Sequence, residues 1–574
     1  MIPINRTFAP LQVFVDELAR CGLENAVTSP GSRDAPILLT LAAERRVRSL
    51  SMLDERSAGF AALGMAKTTG RPVAIACTSG TAAANLLPAI VEAHEARVPL
   101  IVITADRPPE LRDTGAGQAI DQIKLYGSAV KWFVEVGNHE PGRGAAVHHR
   151  ALACRAFHTA ASGRPGPVHL NFALREPLAP VGEELDRRDW EGRADGRPWV
   201  EQWEPPRVPG ATLVDLLARE LAGCARGALV CGPTSEDIAE PAGRLAVAAG
   251  WPLLAEPTSG TRCGTHDRSH VIAHYDALLR DERFAADHRP EVIVRIGDTP
   301  TSKPLRTWLA GARQVLIDPH STWHEPTRAA ETIVAASAAA TCDEVALALE
   351  RDGGARDPEW LASWRRADAV VPEVLAAAPD PFEPKVYTAL AGSIGDRAIV
   401  WLSSSMPVRD VEAFFPQVPE RVRFLANRGA NGIDGVVSSA LGAACTTGSR
   451  CYLLTGELAL VHDLSGVAAL RRHGVDLTIV CANNGGGGIF DFLPVAEHAD
   501  REHYEQHIAT PSNVELEHVA TLAGMRHVVA RTPDEVRAAL VEPALIEIRT
   551  DRARNVELHR EVHERIAHAT SANR

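Results

Sequence analysis

Short apolar runs that end in small or polar residues recur along the chain, each followed by a stretch of helical periodicity. Residues 26–27 run into Thr28, Ser29, Pro30 and Gly31, residues 73–77 into Thr78, Ser79 and Gly80, and residues 100–103 into Thr104, Ala105 and Asp106. Unbroken apolar runs that alternate with helices are the pattern of parallel strands buried on both faces and joined by crossover helices. The first such block closes near 167–178, and a stretch rich in Pro, Trp, Arg and Glu over 179–210 reads as a surface linker. A second block has strand candidates at 228–231, 292–296 and 315–317. Polar stretches at 351–358 and 379–384 lead to a third, with strands at 399–402, 424–426, 452–454, 477–480 and 545–548. The pattern predicts an α/β protein of three doubly wound parallel-sheet domains, over 1–182, 205–352 and 366–574. Ligands of such sheets gather at the carboxyl ends of the strands, so the residues just after each strand carry most of the functional information.

A length of 574 residues is too great for one ordinary core, in keeping with three domains. The composition, 45% hydrophobic and 23% charged, is that of a folded globular chain and not of a disordered one. Sixty Lys and Arg against 73 Asp and Glu leave a net charge of −13, so the basic footprint of a nucleic-acid binder is missing. The ten cysteines are scattered with no C-x-x-C pair, which argues against a zinc site or a disulfide framework and for buried free thiols in a reducing compartment. No apolar run approaches the length of a membrane span, and residues 1–10 have neither a charged leader nor an apolar core, so a cytoplasmic protein is expected.

In the third block one strand runs into Gly456, Glu457 and Leu458, and the next into Asn483, Asn484 and four glycines, 485–488. Both turns fall at the same sheet edge. A carboxylate, an amide oxygen and a backbone carbonyl form an oxygen-rich set suited to Mg²⁺, and glycines let backbone N–H groups close on a diphosphate. In the first block, Glu55 opens a helix whose small and apolar residues indicate burial, 22 residues before the Ser79–Gly80 turn. Taken singly, Glu55 also reads as a helix-dipole partner, the Gly456 turn as a plain turn and the glycine run as a flexible loop. His462 and Asp463 read as the start of a helix. A nicotinamide dehydrogenase is disfavoured, because no G-x-G-x-x-G follows the first strand.

Together the Gly456-Glu457 and Asn483-Asn484 turns resemble the motif of thiamine-diphosphate enzymes, GDG, a spacer, then NN, with Glu457 where that motif normally has Asp. Further segments narrow the resemblance: Thr28 to Arg33, Asp54 to Ser57, Thr78 to Ala82, Thr104-Ala105-Asp106-Arg107-Pro108-Pro109-Glu110-Leu111-Arg112, Gly117 to Gln122, Asn427-Arg428-Gly429-Ala430-Asn431-Gly432-Ile433-Asp434-Gly435, and Ile489 to Pro494. These are similar to the 2-succinyl-5-enolpyruvyl-6-hydroxy-3-cyclohexene-1-carboxylate synthases of menaquinone biosynthesis. The likeness is dense in the first and third blocks and thin in the middle one.

The resemblance implies a fold of the thiamine-diphosphate-enzyme type, thiamine diphosphate held through Mg²⁺ or Mn²⁺, and 2-oxoglutarate and isochorismate as substrates. It implies Glu55 as the group that activates the cofactor's aminopyrimidine, and Ile433 as the apolar prop of the bent cofactor, with ordinary core packing as its other reading. Ser79, Gly80, Ser405, Gly456, Leu458 and Asn484 are implied as further cofactor contacts, and Glu457, Asn484 and Gly486 as metal ligands. The two substrates bring four carboxylates, which the planar fork of arginine suits. Arg33, Arg107, Gln118, Lys303, Ser405, Arg409 and Arg428 are implied as their contacts. A homodimer or homotetramer with active sites at the subunit interface also follows from the resemblance. Two alternatives stay open: another thiamine-dependent 2-oxo acid decarboxylase or acetohydroxyacid synthase, and a non-catalytic relative in which Glu457 weakens the metal site.

Overall fold

The computed structural model describes residues 4–572. The first sheet is built from β1 (Asn25–Thr28), β2 (Arg48–Ser51), β3 (Val73–Cys77), β4 (Leu100–Asp106), β5 (Trp132–Val136) and β6 (Val168–Ala173), in the order β2-β1-β3-β4-β6-β5. The second comprises β7 (Gly227–Cys231), β8 (Leu253–Ala255), β9 (Val271–Ile272), β10 (Val292–Ile296), β11 (Arg313–Ile317) and β12 (Ala330–Val334), ordered β12-β11-β10-β7-β8-β9. The third is β13 (Ile399–Leu402), β14 (Arg423–Ala426), β15 (Cys451–Gly456), β16 (Leu477–Asn483), β17 (Arg526–Ala530) and β18 (Ala544–Arg549), ordered β14-β13-β15-β16-β18-β17. Every pairing is parallel, so three doubly wound α/β sheets are present as expected. The central strands β3 and β4 are buried along their whole length, which is why their sequences read as unbroken apolar runs.

The chain condenses into two compact units. One contains the residues up to Glu204 together with Asn427–Gly448 and His462–Val475; the other contains Pro205–Ala426, Ser449–Val461 and Asp476 onward. The first unit therefore draws two helices, Val436–Thr446 and Leu464–His473, from the third block of the sequence. Small residues explain the packing. A Cβ on Gly64 would lie 2.0 Å from the Ser439 carbonyl oxygen, and one on Gly442 would lie 2.1 Å from that of Ala61. Helices Glu55–Thr69 and Val436–Thr446 thus meet backbone to backbone, and the Ser439 hydroxyl donates to the Phe60 carbonyl at 3.2 Å.

Asp463 is fully buried and spans the same layer. Its carboxylate accepts from the Ser57 hydroxyl at 3.0 Å and from the Ser438 backbone N–H at 2.7 Å and hydroxyl at 2.9 Å. It stands at the N-cap of helix Leu464–His473, as its structural reading anticipated, but its side chain joins neighbouring helices instead of capping its own. Among the described residues, no helix is long and apolar enough to cross a membrane.

Candidate active site

In the first unit the turns after β1, β3 and β4 converge. A Cβ on Gly31 would strike the Thr78 side chain at 2.4 Å, so the first two turns touch only because position 31 is glycine. Arg33 is largely buried, donates from Nη1 to the Leu174 carbonyl at 2.9 Å, and lies 3.7 Å from Glu176. Arg107 donates from Nη1 to the Ser79 hydroxyl at 3.0 Å. Burial, and then the charge of Arg107, hold the Arg33 guanidinium below its ordinary value. A largely buried cation crowded by a second one favours an anionic ligand.

Gly80 has φ +85°, a conformation open to glycine, and its N–H donates to Gln122 Oε1 at 2.9 Å. Gln122 is buried and donates in turn to the Ala105 carbonyl at 3.1 Å and to Asn171 Oδ1 at 2.9 Å. The backbone of Gln118, itself at φ +53°, lies over Gly80, and its side chain is exposed. Gln122 lies within the Gly117 to Gln122 motif, and its anchoring of the glycine turn emerges only from the fold.

Asp54 caps helix Glu55–Thr69 by accepting from the N–H groups of Arg56 and Ser57, which sets Glu55 in the first turn. Glu55 Oε2 accepts a long hydrogen bond, 3.4 Å, from Asn85 Nδ2. Asp34 carries no motif signal in the sequence. Its carboxyl is fully buried, is pushed up to about 7 by burial, and feels the charge of Glu55. The segment bearing Arg428 and Ile433 is held by Glu92, which accepts from the Gly429 N–H at 2.9 Å and the Ala430 N–H at 2.6 Å. Ile433 and Arg428 are half-buried, and a cavity of about 300 Å³ lined by Phe60, Glu92, Asn427 and Asp434 lies in the same unit.

In the second unit Gly456 and Glu457 follow β15, and Asn484, Gly485 and Gly486 follow β16. Glu457 is buried, and its Oε1 accepts from the Gly486 N–H at 2.5 Å. Burial, reinforced by the charge of Glu383, pushes its carboxyl up to about 7. Gly486 has φ +147°, and a Cβ there would meet the Ala509 carbonyl oxygen at 2.8 Å. Asn484 donates from Nδ2 to Glu383 Oε1 at 2.9 Å, and that oxygen also accepts from the Thr550 hydroxyl at 2.9 Å. The amide is thereby oriented, and Asn484 Oδ1 is left buried with no partner.

A buried carboxylate of raised pKa beside an orphaned amide oxygen is a hard-oxygen donor set that a divalent cation such as Mg²⁺ fits. The structure thus brings Glu457, Asn484 and Gly486 together, with Gly456 and the half-buried Leu458 in the same turn. It adds Glu383, which stands in the proline-bounded polar stretch that leads into the third block of the sequence.

Ser405 has φ +76°, a strained backbone for a residue with a Cβ, and its carbonyl accepts from Arg409 Nη1 at 2.5 Å. Burial lowers the Arg409 guanidinium. Lys303 opens a helix capped by Ser302, whose hydroxyl also donates to Asp276 at 2.6 Å. Lys303 and Arg409 line one cavity of about 1110 Å³ together with Arg280, Arg306, Phe490 and His559. His559 and Asp410 pair at 3.0 Å on its wall, and against the pull of burial the Asp410 carboxylate holds the imidazole above its ordinary value.

Residues 11–125 match the family model of the thiamine pyrophosphate enzyme N-terminal TPP binding domain, and residues 410–550 that of the C-terminal TPP binding domain. Over 567 residues the chain is 42% identical to a 2-succinyl-5-enolpyruvyl-6-hydroxy-3-cyclohexene-1-carboxylate synthase of Geobacillus thermodenitrificans, covering 96% of this chain and 95% of the relative. It is 40% identical to the enzyme of that name from Myxococcus xanthus over 97% of this chain and 96% of the relative, and 40% identical to the one from Chloroflexus aurantiacus over 95% and 94%. The chain belongs to the 2-succinyl-5-enolpyruvyl-6-hydroxy-3-cyclohexene-1-carboxylate synthase family of thiamine pyrophosphate enzymes.

Proposed function

We propose that this protein is a thiamine-diphosphate-dependent transferase of menaquinone biosynthesis. It removes CO₂ from 2-oxoglutarate and adds the remaining four-carbon unit to isochorismate in a 1,4 sense, giving 2-succinyl-5-enolpyruvyl-6-hydroxy-3-cyclohexene-1-carboxylate. Thiamine diphosphate, when bound, supplies the carbon centre that accepts the 2-oxo acid and stabilises the electron pair left by CO₂. Residues 1–182 form the pyrimidine-binding domain, 205–352 the central domain and 366–574 the diphosphate-binding domain.

Glu457, the Asn484 amide oxygen and the Gly486 carbonyl hold Mg²⁺ or Mn²⁺, and the Gly456–Leu458 turn receives the diphosphate. Glu55 accepts the proton shared with the aminopyrimidine. Ser79, Gly80, Ser405 and Ile433 fix the orientation of the cofactor rings. Arg33, Arg107, Gln118 and Arg428 bind substrate carboxylates and hydroxyls on the Glu55 side, and Lys303 and Arg409 on the metal side, each arginine as a two-pronged donor. The active unit is a homodimer or homotetramer with sites at the subunit interface, working in the cytoplasm on small molecules and without nucleic acid.

The observation that supports this reading best is the orphaned Asn484 oxygen beside the buried Glu457 carboxyl. The test is one assay of purified protein with thiamine diphosphate, Mg²⁺ or Mn²⁺ and 2-oxoglutarate, with and without isochorismate. Metal-dependent consumption of isochorismate is expected. Release of CO₂ with isochorismate untouched would overturn the assignment of the second substrate, and loss of all metal-dependent cofactor binding would overturn the site.

A further inference from the structure

Cys21 ends helix Phe8–Cys21, and Cys154 lies within helix Arg143–Ala161. Their sulfurs face each other at 3.6 Å, with the Cys21 thiol donating to Cys154. Cys154 also accepts from the Val200 N–H at 3.4 Å and lies 3.6 Å from Glu17 Oε1. Glu17 has no exposed surface, pairs with Arg150 at 2.5 Å, and accepts from the Trp199 N–H. The stretch before these two residues is tied to the same place, because Arg150 donates to the Trp190 carbonyl at 2.8 Å and Arg20 to that of Arg193 at 2.9 Å. The thiol pair therefore sits under a strap of backbone that two arginines and one carboxylate fasten down.

Glu17, Cys21 and Cys154 place ligand atoms within 4.8 Å of one another, the spacing of a metal site. The local charge argues against a cation, since Glu17 is already neutralised by Arg150. Oxidation is the chemistry the geometry favours. The hydrogen bond from Cys21 and that from Val200 hold the Cys154 thiol below its ordinary value, whereas Cys21 is pushed up. Cys21 is partly exposed and gives a small oxidant a way in, whereas the other nine cysteines are buried.

We propose that Cys21 and Cys154 form a reversible dithiol–disulfide pair, oxidised by peroxide-class reagents and reduced by dithiols. The Cys154 thiolate attacks one peroxide oxygen, the O–O bond breaks, and the departing hydroxide takes up the released thiol proton as water. The Cys21 sulfur then attacks the Cys154 sulfur, the S–S bond forms, the S–O bond breaks, and a second water leaves with the Cys21 proton. Two thiols are oxidised by two electrons and one peroxide is reduced to two waters. The sulfurs close by about 1.5 Å to reach bonding distance. The thiolate acceptor of the Val200 N–H is lost in the process, so the strap registers the change.

Full-length protein treated with hydrogen peroxide, alkylated and mapped under non-reducing conditions is expected to yield a Cys21–Cys154 crosslinked peptide. The crosslink is lost on adding dithiothreitol, and two fewer than the ten thiols are alkylated. Amide exchange at Val200 is expected to quicken in the oxidised form, a readout that a merely packed thiol pair would not move. In a Cys21→Ser variant the crosslink is absent and Cys154 proceeds to the sulfinic acid. Recovery of both cysteines as free thiols after peroxide, separate sulfinic acids in the unaltered protein, or stoichiometric zinc that shields both thiols would each overturn the proposal.

Discussion

The first and third sheets order their strands alike: β2-β1-β3-β4-β6-β5 in one is matched position for position by β14-β13-β15-β16-β18-β17 in the other. Equivalent turns can therefore be compared. The turn after β1 carries Arg33, and its counterpart after β13 carries Ser405 and Arg409. After β3 come Ser79 and Gly80, and after β15 Gly456 and Glu457. After β4 comes Arg107, and after β16 Asn484 and Gly486. The first sheet offers cations and hydrogen-bond donors at these places, whereas the third sets oxygen acceptors, Glu457 and the Asn484 amide, beside the one cation Arg409. One topology thus serves as two different electrostatic frames: the sheet fixes where the turns stand, and the turn residues fix their charge.

Two buried carboxyls sharpen the contrast. Asp34 and Glu457 are both pushed up to about 7, chiefly by burial. Glu457 stands in the turn beside Asn484, whose amide oxygen is orphaned, and a cation bound there would relieve its burial cost. Asp34 has no such neighbour, and its two oxygens form no hydrogen bond of normal geometry.

The strongest way to break the comparison is at Glu55, the one acidic site residue proposed on the first-sheet side. Glu55→Gln is expected to lower kcat by about 10²–10⁴-fold, the usual worth of a positioned proton-transfer group, while calorimetric affinity for Mg²⁺ and cofactor holds. Full activity in that variant would remove the activation role. On the third-sheet side, Glu383→Leu removes the group that orients Asn484. It should weaken Mg²⁺ binding about 10–100-fold, the range for lost support behind a metal ligand, with the circular dichroism spectrum unchanged. Unaltered metal affinity would show that Asn484 needs no guide. Arg107→Lys exchanges a fork for a point charge and should raise the KM of a carboxylate substrate about tenfold, from the loss of one charged hydrogen bond. An unchanged KM would place that carboxylate elsewhere.

The smallest effect concerns Asp34. Its folded pKa lies above the unfolded value of about 3.9, so the stability of the protein falls as pH rises from there through about 7. Asp34→Asn should flatten that slope and stabilise the protein by about 1–3 kcal/mol at pH 8, with little change at pH 4, as followed by thermal unfolding. Equal shifts at both pH values would mean that the carboxyl is not the source.

Much of this was legible in the chain because a parallel strand buried on both faces has no polar positions to interrupt it. β3 and β10 fall on the same residues that the apolar runs mark, 73–77 and 292–296. Of the strands at sheet edges β14 shows at 424–426, whereas others were silent for the converse reason. β2, β12 and β17 carry exposed or half-exposed residues, so Arg48–Ser51 and Arg526–Ala530 look like ordinary polar chain. β8 and β9 are buried but only three and two residues long, too short to register as a run. The turns bearing Glu55, Arg107, Glu457 and Asn484 stood out because chemistry is concentrated within a few residues of a strand end. Glu383 did not, because it meets Asn484 across 101 residues and sits in a proline-bounded polar stretch before the first strand of the third block. The redox pair was hidden likewise, since Cys21 and Cys154 share no local spacing.

The backbone contact of Gly64 and Gly442 has a consequence in time. The first unit borrows a helix that begins about 230 residues after its own main segment ends at Glu204. At about 5–20 residues per second, the surface around Gly64 emerges from the ribosome some 20–75 s before its partner exists. During that interval a strip of alanine and glycine backbone stands uncovered. The protein is thus obliged to finish its oldest part with one of its newest, and a chain released before residue 446 could not assemble this helix pair.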